Sequence, residues 1–470
     1  MMQATRTLRA RWVLPIFSAP MENGEVVIEG DRIVAMRNAD GPAGNDVEDF
    51  GDAILMPGLV NVHTHLDYTL MRGLLEDIPF FPWIRELTAR KAALTQEDWI
   101  ASATWGAAEA VAGGVTTIGD CTDSGAALVG AKSLGLGGII FQEVFGIDMR
   151  QTVAAILADL EAKLRRYRLE TPGTLLTVGI SPHAPYTVRP ELMQALGRFA
   201  KTGELPVCIH AAESTAETTL FQSGTGPIAE MFQRREIAWS APNQSVVAYL
   251  EAQGVLSART LLVHGVQVAA EDRVRMRRTG AAWAHCPKSN AKLGNGVAPL
   301  AILRDLPSPD DVDTRGLGVR VGLGSDSVAS NNTMDLFEEM RFAVLMQRAA
   351  QRHIDVLTAQ TAVEMATRGG AEALGLAAEI GTLEIGKRAD LCIVGLEDGH
   401  NVPAYQPYNA LVYAARASDV LCTVIGGKIV YDRRRGARWE DRFPNVDLVP
   451  VRLSLETAAN IMREWRPETP

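Results

Sequence analysis

The sequence predicts a (β/α)8 barrel joined to a small β-sandwich domain built from both chain ends. Three observations point there. Eight short apolar runs alternate with amphipathic helical stretches through the middle of the chain. All-β texture flanks that region on both sides. Six of the eight histidines stand at or just beyond the ends of the apolar runs.

The chain has 470 residues, with 46 Lys and Arg against 56 Asp and Glu, a formal charge of −10. Such a surface disfavours nucleic acid and anionic membranes, both of which want a basic face. At 47% apolar and 22% charged residues, disorder and low complexity are excluded. The five cysteines are dispersed without a CxxC pair, which reads as reduced thiols in a cytoplasmic protein. No run of 18 apolar residues suggests a membrane span.

Taken in order, Arg6, Arg9 and Arg11 precede the apolar residues 12–17 and faintly imitate a secretory leader. Pro15 breaks that run, so it is read as the first strand. Residues 26–28 and 32–36 are short apolar runs around Gly30-Asp31, a type I′ hairpin signal, and Asn23-Gly24 marks another turn. Runs at 389–394, 420–425 and 428–431 supply the matching strands near the other end. The expected division is a composite β domain at 1–57 and 382–448, a barrel at 58–381 and a helical tail at 449–470.

Barrel strands are expected at 59–62, 115–119, 138–143, 176–180, 206–210, 261–264, 281–285 and 319–324, with helices at 97–112, 153–168, 190–200, 271–279 and 334–349. An open doubly wound sheet would want a glycine-rich phosphate loop after its first strand. Gly135-Leu136-Gly137-Gly138 instead precedes a strand, and there is no P-loop. Residues 222–256 are the irregular part, read as an enlarged loop with one helical piece carrying Trp239.

In a barrel, strand ends share one rim, the face that carries active sites. His63, His65, His183, His210, His264 and His285 fall there, followed by Asp326. Alternate residues of a strand point to the same side, so the His63-Thr64-His65 pair can reach one ion. Imidazoles plus one carboxylate suit Zn²⁺, with Fe²⁺ as a rival. Glu213, three residues after His210, is placed to act as general acid and base; otherwise it is a helix-start glutamate favoured by the macrodipole. His353 and His400 read as surface residues. Met71, Phe80, Phe81 and Trp83 form an apolar group that is either core or the wall of a pocket for a flat ring. The PCxxC of zinc cytidine deaminases is absent.

Several segments together resemble the amidohydrolase superfamily. They are Pro57-Gly58-Leu59-Val60-Asn61-Val62-His63-Thr64-His65, Ser181-Pro182-His183-Ala184-Pro185-Tyr186, His210-Ala211-Ala212-Glu213, Leu262-Val263-His264-Gly265, Cys286-Pro287-Lys288-Ser289-Asn290 and Gly324-Ser325-Asp326-Ser327. The branch they resemble is that of the deaminases and chlorohydrolases, whose fold is a TIM-like metal-dependent hydrolase barrel. The resemblance implies one metal per chain held by His63, His65, His210 and Asp326. It also implies His264 bonded to the attacking water or the substrate, Glu213 shuttling protons, Asp326 accepting the water's proton, and His183 facing the substrate. Two-metal members carry a modified lysine at the fourth strand end, where this chain has Ile180-Ser181-Pro182-His183.

Within the branch two groups compete. Methylthioadenosine/S-adenosylhomocysteine deaminases place a ribose-binding glutamate where this chain has Ala92, and an arginine at the third strand end, where Phe141-Gln142-Glu143-Val144 stands. His65-Leu66-Asp67-Tyr68, Phe81-Pro82-Trp83-Ile84 with Arg90, and Glu143 resemble the aminodeoxyfutalosine deaminases of menaquinone synthesis instead. The resemblance therefore implies an adenine-nucleoside aminohydrolase with aminodeoxyfutalosine favoured, and Trp83, Glu143, Arg90 and His183 near the substrate. Arg85, Arg90 and Lys91 either meet the substrate's carboxylate or lie in solvent. A guanine- or triazine-like ring is the alternative within the branch, and a non-catalytic metal scaffold the remote one. Relatives often form dimers or larger homo-oligomers.

Overall fold

The computed structural model describes residues 5–39, 41, 44, 46–300 and 318–465. Five strands open the chain: β1 (Thr5–Val13), β2 (Met21–Glu29), β3 (Arg32–Asn38), β4 (Val47–Asp49) and β5 (Ala53–Pro57). Eight follow in the barrel: β6 (Leu59–Thr64), β7 (Val115–Thr122), β8 (Gly137–Val144), β9 (Leu176–Pro182), β10 (Val207–Ala211), β11 (Thr260–His264), β12 (Ala282–His285) and β13 (Val321–Leu323). Three close the count: β14 (Leu391–Gly395), β15 (Val420–Ile425) and β16 (Lys428–Asp432).

The two chain ends form one mixed sheet in the order β16-β15-β14-β5-β1-β2-β3, with β4 parallel to β1. Its centre is the antiparallel pairing of β5 with β14, Leu55 opposite Ile393. Gly30-Asp31 does join β2 to β3, but only Gly30 has a positive φ, so the turn is not type I′. Asn23 and Gly24 lie inside β2, where Gly24 pairs with Ala10 and Asn23 absorbs a φ of 49°. They are not a turn, because the register with β1 runs straight through them.

β6 to β13 pair in sequence order, each parallel to the next. The ends of the series meet where Asp326 N donates to His63 O at 3.0 Å and Thr64 bridges to Asp326. Asn61 clamps the seam from inside: its Nδ2 donates to Ser325 Oγ at 2.8 Å and its Oδ1 accepts from Ser325 N at 3.0 Å. Val60, Val62, Cys121, Ile139, Phe141, Cys208, Leu261, Val263, Ala282 and Ala284 fill the interior beneath the rim.

Residues 222–256 are more regular than their composition suggests. After β10 come helices Thr215–Ser223, Pro227–Arg234 and Val246–Ala252, pinned together by Trp239 against Phe221 and Phe232. The C-terminal helix Val449–Glu464 packs on helix Gln96–Ala112. No described helix is long and apolar enough to cross a membrane.

Candidate active site

Strand alternation alone would aim the first two histidines the wrong way. Val60 and Val62 point into the barrel, so a regular strand would turn Thr64 inward and His63 outward. Between Asn61 and Thr64 the register with β7 slips: three residue steps on β6 match two on β7, from Ile118 to Asp120. This bulge swings His63 and His65 inward. Gly119 makes room for it, since a Cβ there would lie 2.3 Å from Val62 O. Gly324 does the same on the other side, 2.9 Å from His63 Cβ.

The donors converge. His63 Nε2 and His65 Nε2 lie 3.5 and 3.6 Å from Asp326 Oδ1, and His210 Nε2 is 3.4 Å from His65 Nε2. His63 Nε2 is buried with no hydrogen-bond partner. Such an orphan is costly unless something satisfies it. Two imidazole nitrogens on one carboxylate oxygen, with a third imidazole against His65, suit a divalent cation by number and type. His210 is fixed in the tautomer that ligation needs, because its Nδ1 donates to His183 O at 2.8 Å. Ser289 and Ser330 donate to Asp326 Oδ2 at 2.6 and 2.9 Å, leaving Oδ1 to the imidazoles.

The protonation states agree. Burial pushes His65 down to about 3. It also pushes His183 down to about 3 and His210 well below the usual range. A neutral ring is what a ligand needs. Burial also opposes charge on His63, but the Asp326 carboxylate outweighs it and raises the ring to about 10. That spot attracts positive charge.

Around the donors stand Glu213 and His264. Glu213 lies two residues before its helix, not in it, with Ser214 as the N-cap. Its Oε1 accepts from Asn295 Nδ2 at 3.0 Å and lies 3.9 Å from His264 Nε2. Burial raises the Glu213 carboxyl, with His264 opposing. His264 Nδ1 pairs with Asn290 Oδ1 at 3.0 Å, which aims Nε2 at Glu213. Ala212, His264 and Asp326 all carry positive φ, at 53°, 70° and 58°. Backbone strain of this kind in non-glycine residues concentrates at functional sites.

The substrate-side expectations divide. Glu143 is buried beside the site, its Oε1 unpartnered and 4.0 Å from His183 Nε2, and burial lifts it to about 8. Trp83 is buried and packs in the apolar core with Met71. Arg90 is not brought to the cluster: it pairs with Glu86 at 2.7 Å and lies over the Trp465 ring. Arg85 is exposed. Lys91 is the cation turned inward, its Nζ donating to Tyr68 Oη and Asp123 Oδ2 at 2.6 Å each. Tyr68 in turn packs on His65. His285 closes β12 but is buried without a hydrogen-bond partner and joins none of these groups. His353 is exposed beside Asp355, and His400 donates to Asp419 at 2.8 Å.

Sequence reasoning missed Ser289, Ser330, Asn290 and Asn295. Their only signal was position: all four lie just past the ends of β12 and β13, on the same rim as the histidines.

A closed parallel barrel with a buried imidazole–carboxylate cluster on its C-terminal rim defines a metal-dependent hydrolase. The amidohydrolase family profile matches residues 54–430, and the chain belongs to that family. The chain is a hydrolase acting on carbon–nitrogen bonds. The chain is 33% identical over 422 residues to a 5-methylthioadenosine/S-adenosylhomocysteine deaminase of Syntrophobacter fumaroxidans, covering 88% of this chain and 87% of that one. It is 30% identical to the enzyme of that name from Bacillus cereus, over 87% and 89%. Among solved structures, a zinc-bound adenosine deaminase from Xanthomonas campestris superposes with a TM-score of 0.82 at 26% identity, covering 98% of each chain. The Helicobacter pylori aminofutalosine deaminase shares the fold, with a TM-score of 0.70 at 22% identity over 91% of this chain and 100% of that one.

Proposed function

We propose that this chain is an aminohydrolase that replaces the amino group of an adenine ring in a nucleoside with oxygen. It would use one Zn²⁺ per chain, held by His63, His65, His210 and Asp326, with Fe²⁺ as the rival. The observation that carries this is the unequal setting of two carboxyl groups beside one histidine cluster. Asp326 has one oxygen pinned by two serine hydroxyls and the other on the imidazoles. Glu213 faces Asn295 and His264, in a buried setting that favours its protonated form. Two carboxyls in environments that push them apart define a base and an acid.

A divalent ion at these donors supplies Lewis acidity and makes hydroxide available at neutral pH. Glu213 then gives its proton to a ring nitrogen, which makes the adjacent amino-bearing carbon electrophilic. Asp326 Oδ1 accepts the proton that the attacking water releases. His264 Nε2, oriented by Asn290, holds the incoming oxygen by hydrogen bonding. Asp326 then passes its proton to the amino nitrogen, Glu213 takes back the proton of the new hydroxyl, and ammonia leaves as the carbon–nitrogen bond breaks and the carbon–oxygen bond becomes a carbonyl.

Aminodeoxyfutalosine is the favoured substrate. Ala92, the C-cap of helix Phe80–Lys91, offers no carboxylate to a ribose, and the nearest one on that helix, Glu86, is taken up by Arg90. Lys91, bonded to Tyr68 and Asp123, is the one of the three cations turned inward, where a benzoate could compete for it. The relatives of 30–33% identity favour methylthioadenosine or S-adenosylhomocysteine as the second reading. An ultraviolet deamination assay across aminodeoxyfutalosine, methylthioadenosine, S-adenosylhomocysteine and adenosine tests both. Fastest turnover of the first is expected; preference for the sulfur nucleosides would transfer the assignment to them. Silence on all four with metal bound would sink the adenine reading, and chloride released from a chlorotriazine would point to that ring class.

A further inference from the structure

Directly beneath the catalytic cluster lie two thiols that the mechanism does not use. Cys121 on β7 and Cys208 on β10 both point into the barrel and are fully buried. Cys208 stands two residues before His210, so the two share a strand face one layer apart. Their sulfurs lie 3.8 and 3.9 Å from His63 Nδ1, the ring nitrogen facing away from Asp326. The two sulfurs and a His63 nitrogen all fall within 4.8 Å of one another.

We propose that His63 Nδ1, Cys121 Sγ and Cys208 Sγ form a second metal site, selective for thiophilic d10 cations such as Cu⁺ and Cd²⁺, and that filling it inhibits the enzyme. The two nitrogen–sulfur distances suit three-coordinate binding: metal–nitrogen bonds of about 2.0 Å and metal–sulfur bonds of about 2.3 Å at 120° place nitrogen and sulfur about 3.7 Å apart. Two sulfurs and one imidazole are a soft donor set, unlike the nitrogen–oxygen set above it. The hard and soft sites share one ring, a nitrogen for each.

Filling the site balances as a ligand exchange with no change of oxidation state. Each thiol releases its proton to solvent, and the His63 ring releases its Nδ1 proton because Nε2 serves the upper site. Three protons leave per ion bound. His63 becomes a bridging imidazolate, which changes its donor strength to the catalytic ion.

The test titrates the zinc-loaded enzyme with Cd²⁺ alone. Expected are one equivalent of Cd²⁺ bound with the zinc retained, a thiolate-to-cadmium charge-transfer band in the ultraviolet, release of about three protons, and activity falling in step with the band. Cys121→Ser and Cys208→Ser should each weaken binding by at least about tenfold. Cys392→Ser, whose thiol lies in the sheet domain, should bind as the parent does. X-ray absorption of the cadmium-loaded parent keeps the outcome independent of how the variants fold: two sulfurs and a nitrogen are expected. One-for-one displacement of zinc without the band, a coordination shell of nitrogen and oxygen only, a band that survives both serine variants, or no uptake at all would each overturn the proposal.

Discussion

The barrel rim and the two-ended sheet are both buried and both carry charge, yet they handle it in opposite ways. In the sheet, Asp390 is fully committed: Arg388 Nε donates to Oδ2 at 2.8 Å and Gly426 N to Oδ1 at 2.8 Å. Burial there pushes the thiols of Cys392 and Cys422 well up, so they are inert. On the rim, polar atoms are left open. His63 Nε2 and Glu143 Oε1 have no hydrogen-bond partner. Satisfied polar groups hold a fold, whereas aimed and unsatisfied ones wait for a ligand.

The strongest way to break that contrast is at Glu213. Glu213→Gln keeps the shape and the Asn295 contact but cannot cycle a proton, so kcat should fall by about 10²–10⁴-fold while the metal stays. Metal analysis beside steady-state kinetics checks both halves. Near-normal turnover would remove Glu213 from the chemistry.

The sheet should answer oppositely. Asp390→Ala strands Arg388 and the Gly426 amide, and should cost about 3 kcal/mol of stability, the low end for a broken buried pair. Denaturant unfolding measures that loss. Turnover per folded molecule should not change; a fall in kcat would show that the two regions are coupled.

Between these extremes lies Ser289, which touches no substrate but holds Asp326 Oδ2. Ser289→Ala should lower metal affinity about 10–100-fold, as removal of outer ligand partners generally does. Ser330 remains as the second donor, so the smaller figure is expected. Competition with a chelator reads this directly, and unchanged affinity would mean that Ser330 alone suffices.

What the sequence revealed, and what it withheld, follows the same division. Strand positions were legible because apolar runs of fixed length need only local information: the expected runs at 59–62 and 176–180 fall inside β6 and β9. The convergence of the rim histidines was legible because strand ends share a rim. The bulge at Asn61–Thr64 was not, since it is a register relation between β6 and β7. Nor was the choice of Lys91 over Arg90, which turns on a partner at Asp123 32 residues away and on Trp465 at the far end of the chain. Asn23-Gly24 carries turn chemistry, but β1 runs past it in register and makes it strand.

The smallest expected effect concerns a rim carboxyl with no proton to transfer. Glu217 Oε2 accepts from Glu213 N at 2.9 Å, its Oε1 has no partner, and burial lifts it from 4.5 to about 8. A raised carboxyl pKa means that the folded chain keeps a proton the unfolded chain releases. Stability from this group is therefore greatest at low pH, falls as pH rises past about 4.5, and stops falling above about 8. Glu217→Gln removes the titration and keeps an acceptor for the Glu213 amide. The variant's Tm should decline less than the parent's between pH 5 and pH 8, over roughly the window those two values set. Parallel curves would mean that Glu217 stays ionised in the fold, and that the rim stabilises a second negative charge beside Glu213.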